Sequence, residues 1–307
     1  MVDVDSLAAF DCLQWLRTGE RAGQVLGCSQ STISRATRKC QDIFAVKLVR
    51  QAAEWHVHGD GRLLTAERRV HQLYRWGAEQ PLRLEAQHWL RGTYADLPLR
   101  GWIKGNLNYL EYTRPLQLLR DRVIDAWLCS APDHPQDDDV SCIPLCEMPT
   151  WLLARTSHPL LSQREPLTIE TARRYPLIPL PQGAFPVFQA QLDGLGFHSD
   201  FSQLKDIADE LGHDSRASED LALAIASPLT MPIYGDGWGV LPLDLNIRKG
   251  DVLMVHRDMA GHRRTENLIR SLGEHLRTLV AGRNDVLVLA SGEQRHVYLT
   301  GQVECDD

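Results

Sequence analysis

One short stretch of the sequence carries side chains suited to contacting a nucleic acid. Polar or cationic residues recur along it, and the candidate base-contacting set is Gln30, Ser31, Thr32, Ser34, Arg35 and Arg38. Gln can form two hydrogen bonds with adenine, Arg can form two with guanine, and Ser serves either base. From residue 17 to residue 50 there are seven Lys or Arg and two acidic residues, which favours contact with phosphates. The stretch predicts DNA binding rather than an ordinary solvated helix face.

These side chains need a helix that holds them outward. Ala22, Val25 and Leu26 predict a short first helix, and the following Gly-Cys pair breaks its pattern. Ser29 is then placed to cap a second helix through its hydroxyl. Apolar or small residues at helical spacing turn inward from that second helix, namely Ile33, Ala36, Thr37 and Cys40. Two short helices joined by a tight turn are the helix-turn-helix layout, whose second helix enters the major groove.

The flanking elements complete a small winged domain. An amphipathic helix is expected from Ser6 to Leu16, with Asp5 or Ser6 as its cap. Residues 54–58 alternate as a strand before Gly-Asp-Gly at 59–61, which predicts a two-stranded wing turning there. Cations on and around the wing are expected to hold phosphates without reading sequence: Lys47, Arg50 and Arg62.

A further helix is expected at about 63–80. Thr65 is a candidate cap, Pro81 ends the segment, and apolar residues share one face: Val70, Leu73, Tyr74 and Gly77.

From residue 81 onward the pattern alternates between strands and helices, which predicts an α/β domain with parallel sheets. Strands are expected at 82–86, 102–105, 123–129, 150–154, 177–180, 239–241 and 252–256. Helices are expected at 116–120, 169–174, 185–195, 218–226 and 265–281.

Composition separates the two parts of the chain. Residues 1–80 carry 11 Lys or Arg and nine Asp or Glu. Residues 81–307 carry 22 Lys or Arg and 31 Asp or Glu. A mildly basic front and an acidic rear suit a DNA-binding module joined to a domain that avoids DNA. No signal peptide and no membrane-spanning apolar run are visible, so a cytoplasmic location is expected. Seven scattered cysteines favour free, mostly buried thiols over disulfides.

The residues from Ala22 to Arg35 resemble the N-terminal signature of LysR-type transcriptional regulators. The likeness rests on two small residues, Leu26 and the run Ser29-Gln30-Ser31-Thr32-Ile33-Ser34-Arg35. The sequence departs from the family at Gly23, where Ala is usual, at Thr37, Cys40 and Gln41, and in Leu48-Val49-Arg50-Gln51. The resemblance implies that the helix at about 63–80 is a linker helix that pairs with its twin in a dimer.

The rear half resembles the effector-binding domain of the same family, a two-lobed fold like that of type 2 periplasmic binding proteins. Short segments carry this likeness: Ile124-Asp125-Ala126-Trp127, Pro144-Leu145, Trp151-Leu152-Leu153-Ala154, His158-Pro159-Leu160 and Gly237-Trp238-Gly239-Val240-Leu241-Pro242. The first crossover, between Gln87 and Trp102, is shorter than the family's usual one, and its helix often contributes to a dimer contact. The expected division is 1–62 winged helix-turn-helix, 63–80 linker helix and 81–307 effector-binding domain, with lobe I at about 81–148 and 251–283, lobe II at about 149–250 and an added hairpin at 284–307.

A ligand is expected in the crevice outside the carboxyl ends of the strands. The residues at those ends that we expect to contact it are Gln87, His88, Asn106, Ser130, Thr150, Gln182 and Phe185. Ser130 and Thr150 could equally cap neighbouring elements. Amide, hydroxyl and imidazole groups suit a small polar or anionic metabolite. No nucleophilic, phosphate-binding or metal-binding motif is present, so no enzyme activity, cofactor or metal is expected.

The sequence thus favours a DNA-binding transcriptional regulator whose activity is set by a small-molecule effector. The resemblance implies a homodimer or homotetramer on double-stranded DNA, and it allows a contact with RNA polymerase. One alternative is a redox-sensing regulator that uses Cys129, Cys142 or Cys146. The other is a ligand-binding α/β protein that does not bind DNA.

Overall fold

The structure is a computed structural model that describes residues 2–200 and 220–290. Its helices are α1 Val4–Leu16, α2 Gly19–Leu26, α3 Gln30–Phe44, α4 Arg62–Gly77, α5 Arg91–Tyr94, α6 Thr113–Arg120, α7 Pro159–Ser162, α8 Ile169–Ala172, α9 Pro186–Gly194 and α10 Arg263–Leu279. Its strands are β1 Lys47–Gln51, β2 Glu54–His58, β3 Leu82–Ala86, β4 Trp102–Lys104, β5 Ala126–Ala131, β6 Val140–Pro144, β7 Cys146–Pro149, β8 Trp151–Arg155, β9 Ala224–Ala226, β10 Trp238–Val240, β11 Arg248–His256 and β12 Leu287–Val288.

Each of the first three helices begins at a side-chain cap. The Asp3 carboxylate accepts from the Ser6 backbone N–H, so Asp3 caps α1 and the expected caps Asp5 and Ser6 are wrong. Thr18 caps α2, and Ser29 caps α3 by accepting from the Thr32 N–H at 3.2 Å, as predicted. These bonds satisfy backbone donors that have no partner within the helix.

The turn between α2 and α3 depends on two glycines. Gly27 has a φ of 64°, in the left-handed region where glycine is favoured. Gly23 permits a close approach of the chain, because a Cβ there would lie 2.5 Å from the Cys28 carbonyl oxygen. The departure from Ala at Gly23 therefore has a packing reason in this chain.

The wing is a hairpin with a turn other than the expected one. Strands β1 and β2 pair antiparallel, and Ala52 and Ala53 join them with φ values of 46° and 68°. The Gly-Asp-Gly segment at 59–61 instead connects β2 to α4, so its assignment as the hairpin turn is wrong. Helix α4 begins at Arg62 without a side-chain cap, which also makes Thr65 a wrong cap, and it ends at Gly77.

The larger sheet forms the first lobe. Its strand order is β12-β7-β11-β5-β3-β4, with β6 also paired to β11. Strand β3 is parallel to β4 and β5, as expected, whereas β11 runs antiparallel to β5, β6 and β7. Residues 287–288 of the expected C-terminal hairpin pair with β7, and residues 291–307 lie outside the described part of the chain.

The second lobe contains a three-stranded sheet of order β10-β8-β9. Both of its strand pairs are antiparallel, so the expectation of parallel pairing is wrong there. The expected strand at 177–180 is reduced to one bridge between Leu177 and Leu223. Within the expected helix at 218–226, residues 224–226 form strand β9, and residues 218–219 lie outside the described residues.

The N-terminal helices pack directly against the first lobe. One apolar core joins Trp15 and Ile33 to Leu118 and Trp127. At the same contact the Trp15 indole N–H donates to the buried Glu85 carboxylate of β3 at 2.7 Å. The winged domain and the first lobe therefore share a core.

Buried charges reinforce this contact through α4. Arg68 of α4 pairs with Asp11 of α1 at 2.8 Å, while Arg75 of α4 pairs with Asp125 before β5 at 3.1 Å. Asp125 also accepts from the Arg83 backbone N–H and from the Gln72 side chain. Helix α4 is thus clamped between the winged domain and the first lobe. Among the described residues, no helix combines the length and apolarity needed to span a membrane.

Candidate nucleic-acid interface and interlobe cavity

Helix α3 presents the predicted polar face to solvent. The residues Gln30, Ser31, Thr32, Ser34, Arg35 and Arg38 are all exposed. The opposite face is buried, with Ile33 at 1%, Thr37 at 7% and Cys40 at 0% relative exposure. Ala36 is half-buried. The amphipathic spacing therefore places the amide, hydroxyl and guanidinium groups outward, where a duplex could reach them.

Several of these groups are free to bond with a ligand. Gln30, Ser34 and Arg38 have no side-chain hydrogen bond or ion pair within residues 2–200 and 220–290. Arg35 donates from Nε to the Ser31 carbonyl at 3.3 Å, which leaves its two terminal nitrogens without a partner in that part of the chain. A guanidinium that is anchored through Nε and has both terminal nitrogens free is suited to a bidentate contact.

The predicted phosphate-binding cations are also exposed. Lys47 and Arg50 lie on β1, and the Arg50 guanidinium lies 5.8 Å from the Trp55 ring centroid. Arg62 already pairs with Asp60 at 2.6 Å, and this pairing lowers the pKa of the Asp60 carboxyl. Arg62 would have to exchange that carboxylate for a phosphate.

A cavity of about 370 Å³ lies between the two lobes. It is bounded by the end of β5, the loop at 178–181, α9, β9 and the start of β11. Three predicted effector contacts line it: His88, Ser130 and Phe185. Its walls are mostly apolar, with a few polar groups, as is common for small-molecule sites.

The other four predicted contacts lie elsewhere. Gln87 is buried, and its side-chain oxygen accepts from the Ser130 backbone N–H. Asn106 donates to the Leu16 carbonyl at the winged domain. Thr150 is buried outside the cavity wall, and Gln182 is exposed on its loop. The structure does not bring these four to the cavity.

Sequence reasoning missed two charged groups of the cavity, Lys249 and Asp251. Both lie at the start of β11, two residues apart on the same side of the strand. The Tyr94 hydroxyl donates to the Asp251 carboxylate at 2.7 Å. Burial raises the pKa of Asp251 to about 6 and lowers the pKa of the Lys249 ammonium. A Lys and an Asp just ahead of an apolar strand were the available signal.

Sequence reasoning also missed most of the aromatic wall. The ring centroids of Trp89 and Phe185 are 4.6 Å apart, and those of Phe185 and Phe188 are 6.5 Å apart. The Lys249 ammonium lies 5.8 Å from the Phe188 centroid. The aromatic wall and the cation are therefore continuous.

An internal carboxylate occupies the N-terminus of α9. Asp133 accepts from the backbone N–H groups of Val187 at 2.6 Å and Phe188 at 3.2 Å. Asp133 follows the first-lobe strand β5, while α9 belongs to the second lobe, so this contact joins the lobes beside the cavity. Burial raises the pKa of Asp133 despite these two bonds.

The cysteine geometry argues against a disulfide between Cys129 and Cys142. Cys129 and Cys142 lie on β5 and β6, and β11 separates these strands, which places the two Cα atoms at least about 9 Å apart. That exceeds the span of a disulfide. Burial raises the pKa of Cys142 to about 11, and it raises those of Cys129 and Cys146 well above the ordinary value. Thiols with raised pKa values supply little reactive thiolate.

The fold and these two sites define a class: a winged helix-turn-helix joined through a helix to a two-lobed, periplasmic-binding-protein-like domain. Residues 106–201 match the family model of the LysR substrate binding domain. No curated protein matches the chain.

Full-length solved structures share the fold over most of the chain. A full-length OxyR mutant of Pseudomonas aeruginosa is 17% identical, with a TM-score of 0.54 over 90% of this chain and 95% of that one. A probable transcriptional regulator from Pseudomonas aeruginosa is 16% identical, with a TM-score of 0.53 over 89% of this chain and 96% of that one. An OxyR mutant of Corynebacterium glutamicum is 15% identical, with a TM-score of 0.50 over 92% and 93%. The predicted resemblance to LysR-type regulators and the predicted fold class are confirmed.

Proposed function

We propose that the protein is a sequence-specific, DNA-binding transcriptional regulator controlled by a small molecule bound between its two lobes. The observation that carries the proposal is the free, outward-facing row of Gln30, Ser34, Arg35 and Arg38 on a capped α3. A solvated helix with no binding role would need no such concentration of base-reading side chains. The LysR substrate binding domain match at 106–201 supports the effector part.

In this proposal α3 enters the major groove, and its base contacts come from Gln30, Ser31, Thr32, Ser34, Arg35 and Arg38. Lys47, Arg50 and Arg62 hold phosphates and fix the register of the domain on the duplex. In this proposal the DNA-binding domain ends at about residue 62, the linker helix ends at about residue 80, and the effector-binding domain follows. We include no catalytic step in this proposal.

The proposed active form is a homodimer or homotetramer. The exposed side of α4 carries Leu63, Val70, Leu73 and Tyr74, each about half exposed in the single chain. Pairing of two α4 helices would bury this apolar stripe and place two α3 helices on successive half-sites. A ligand that prefers one arrangement of the lobes would then shift the arrangement of the subunits. Contact with RNA polymerase is a further part of the proposal.

The test is salt-dependent duplex binding by the wild type and by Arg35→Ala. We expect wild-type affinity to fall steeply as salt rises, since phosphate contacts release counterions. The duplex carries an operator recovered by selecting genomic DNA fragments that the full chain binds. Arg35→Ala should weaken binding to this operator by about tenfold to a hundredfold, as expected for loss of a bidentate base contact. Arg164→Ala is the control, because Arg164 is an exposed arginine of the second lobe.

Fluorescence anisotropy with a labelled duplex measures both effects. Equal affinities for wild type and Arg35→Ala, or wild-type affinity that does not respond to salt, would reject the DNA-binding role of α3. The second alternative, a ligand-binding protein without DNA binding, would then stand.

A further inference from the structure

The interlobe cavity contains a cationic hydrogen-bond donor that the described residues leave unused. Lys249 lines the cavity and has no hydrogen bond or ion pair with the described residues. Trp89 also lines it, but its indole N–H is closed off from solvent, so a ligand in the cavity would meet the ring of Trp89 and not its N–H. Unused donors in a partly enclosed site are costly unless a ligand supplies acceptors.

The acidic groups of the cavity, by contrast, already have donors. Asp251 accepts from the Tyr94 hydroxyl, and Asp133 accepts from two backbone N–H groups at the start of α9. The group that still lacks a hydrogen-bond partner is therefore a donor, Lys249, which favours an anionic ligand over a cationic one. The one ammonium of the cavity can form an ion pair with a single negative charge. A phosphate dianion would lack a second cation.

The walls define the rest of the ligand. Trp89, Phe185 and Phe188 form a continuous aromatic surface that ends at the Lys249 ammonium. Aromatic faces favour flat rings stacked or tilted against them. A volume of about 370 Å³ accommodates one or two fused rings with a short acidic group.

We propose that the cavity binds an aromatic monocarboxylate, with its carboxylate on Lys249 and its ring against Phe185 and Phe188. This inference rests on the proposed function in one respect, since it takes the cavity as the effector site. It adds the chemical class of the effector and assigns the charged contact to Lys249.

The test is calorimetric titration of the full chain with a matched set of probes. The set is 2-naphthoate and indole-3-acetate as aromatic anions, 2-naphthamide as the neutral analogue, 2-naphthylmethylamine as the cation, and cyclohexanecarboxylate as the non-aromatic anion. We expect the aromatic anions to bind at least about tenfold more tightly than the other three probes. The amide and the amine lose the charge-assisted hydrogen bond, and cyclohexanecarboxylate loses the contact between aromatic rings.

Three variants locate the contacts. Lys249→Met should weaken 2-naphthoate binding by at least about tenfold, whereas Lys249→Arg should retain most of it. Trp89→Phe keeps a ring in the aromatic wall and removes an N–H that the ligand does not reach, so a change in 2-naphthoate binding of less than about threefold is expected. The control is Arg248→Met, because Arg248 is the preceding cation but pairs with Glu147 outside this cavity. Thermal unfolding verifies that each variant is folded.

Tight binding of the amine or amide, no binding of either aromatic anion, or wild-type affinity in Lys249→Met would each overturn the inference. Duplex binding is measured on the same preparations. Duplex binding without anion binding rejects this inference alone, while anion binding without duplex binding rejects the DNA-binding role alone.

Discussion

Glu85 is a carboxylate held away from water. Its carboxylate is fully buried between β3 and α1, where it accepts from the Trp15 indole at 2.7 Å and the Leu107 backbone N–H at 2.8 Å. Burial raises the pKa of Glu85 to about 7, although these donors favour the charged form. The proton on Glu85 is therefore bound to the folded protein at pH values where an unfolded chain would release it.

This shift predicts how stability depends on pH. Between about pH 4.5 and 7 the folded state binds more protons than the unfolded state, so the Glu85 contribution to the free energy of unfolding falls as pH rises. Glu85→Gln should remove this loss, which amounts to about 3 kcal/mol between pH 5 and pH 8. Urea unfolding of wild type and Glu85→Gln at both pH values measures it. Identical pH dependence in the two proteins would contradict the assignment.

The exposure of α3's outer residues follows directly from spacing, because Ile33, Thr37 and Cys40 must turn inward together. Only some of the cavity residues could be predicted from the sequence. His88, Ser130 and Phe185 were accessible to prediction because they lie close after the strand ends expected at residues 86, 129 and 180. Lys249 and Asp251 were not, since the sequence does not reveal that β11 returns from the second lobe to pair with β5.

Helix α4 is the element with two opposed functions. Its buried side holds Arg68, Gln72 and Arg75, which bond to the winged domain and the first lobe. Its other side exposes Leu63, Val70, Leu73 and Tyr74. A long exposed apolar stripe on a helix otherwise clamped by charges is typical of an interaction face.

We expect Leu73→Glu to weaken self-association, because it places a charge in the middle of the proposed α4 pairing. Each dimer would carry two such charges, which repel one another across the interface. Sedimentation velocity over a range of concentrations measures the change, and a dissociation constant raised by at least about tenfold is expected. Leu279→Glu is the matched control, since Leu279 is a similarly exposed leucine at the end of α10.

An unchanged association state in Leu73→Glu would place the subunit interface elsewhere. The short first crossover, reduced here to a 3₁₀ turn His88–Leu90 and the four-residue α5, offers little alternative helix surface.

Elements with strong periodicity were predicted well from the sequence, and those set by tertiary pairing were not. Helices α1 and α10 begin and end within two residues of the expected bounds. The apolar face of α10 recurs over several turns, whereas α1 is buried on nearly all sides and is not the amphipathic helix that was expected. The wing turn at Ala52 and Ala53 was missed because Ala is disfavoured at positive φ, while the nearby glycines gave a stronger local signal. Strand β9 was read as a helix because three residues show no period.

At the scale of the whole molecule, the winged domain, α4 and the first lobe form one packed body. The network around Asp125 is central to it, since this buried carboxylate accepts from Gln72, Arg75, Trp76 and Arg83. Burial alone would raise the pKa of Asp125, but the charges of Arg75 and Arg83 outweigh it and hold the pKa below its usual value. The second lobe has a separate apolar core.

Asp125→Ala should destabilise this body strongly. It leaves Arg75 buried without its ion-pair partner, which costs about 3–5 kcal/mol. Hydrogen exchange should accelerate together in α1, α4 and β3, while β8 of the second lobe changes less. Asp138→Ala is the control, because Asp138 is exposed in a loop of the first lobe. Faster exchange confined to the loop before β5 would show that the winged domain and the lobe are not coupled.

The proposal that α3 reads a duplex is tested by selection of genomic DNA fragments bound by the full chain. We expect enrichment of one motif built of two related half-sites about one helical turn apart, because two α3 helices of a dimer would face the same side of the duplex. Arg35→Ala should lose this enrichment. Recovery of fragments without a common motif, or the same motif and enrichment from Arg35→Ala, would show that α3 does not read the sequence of the duplex.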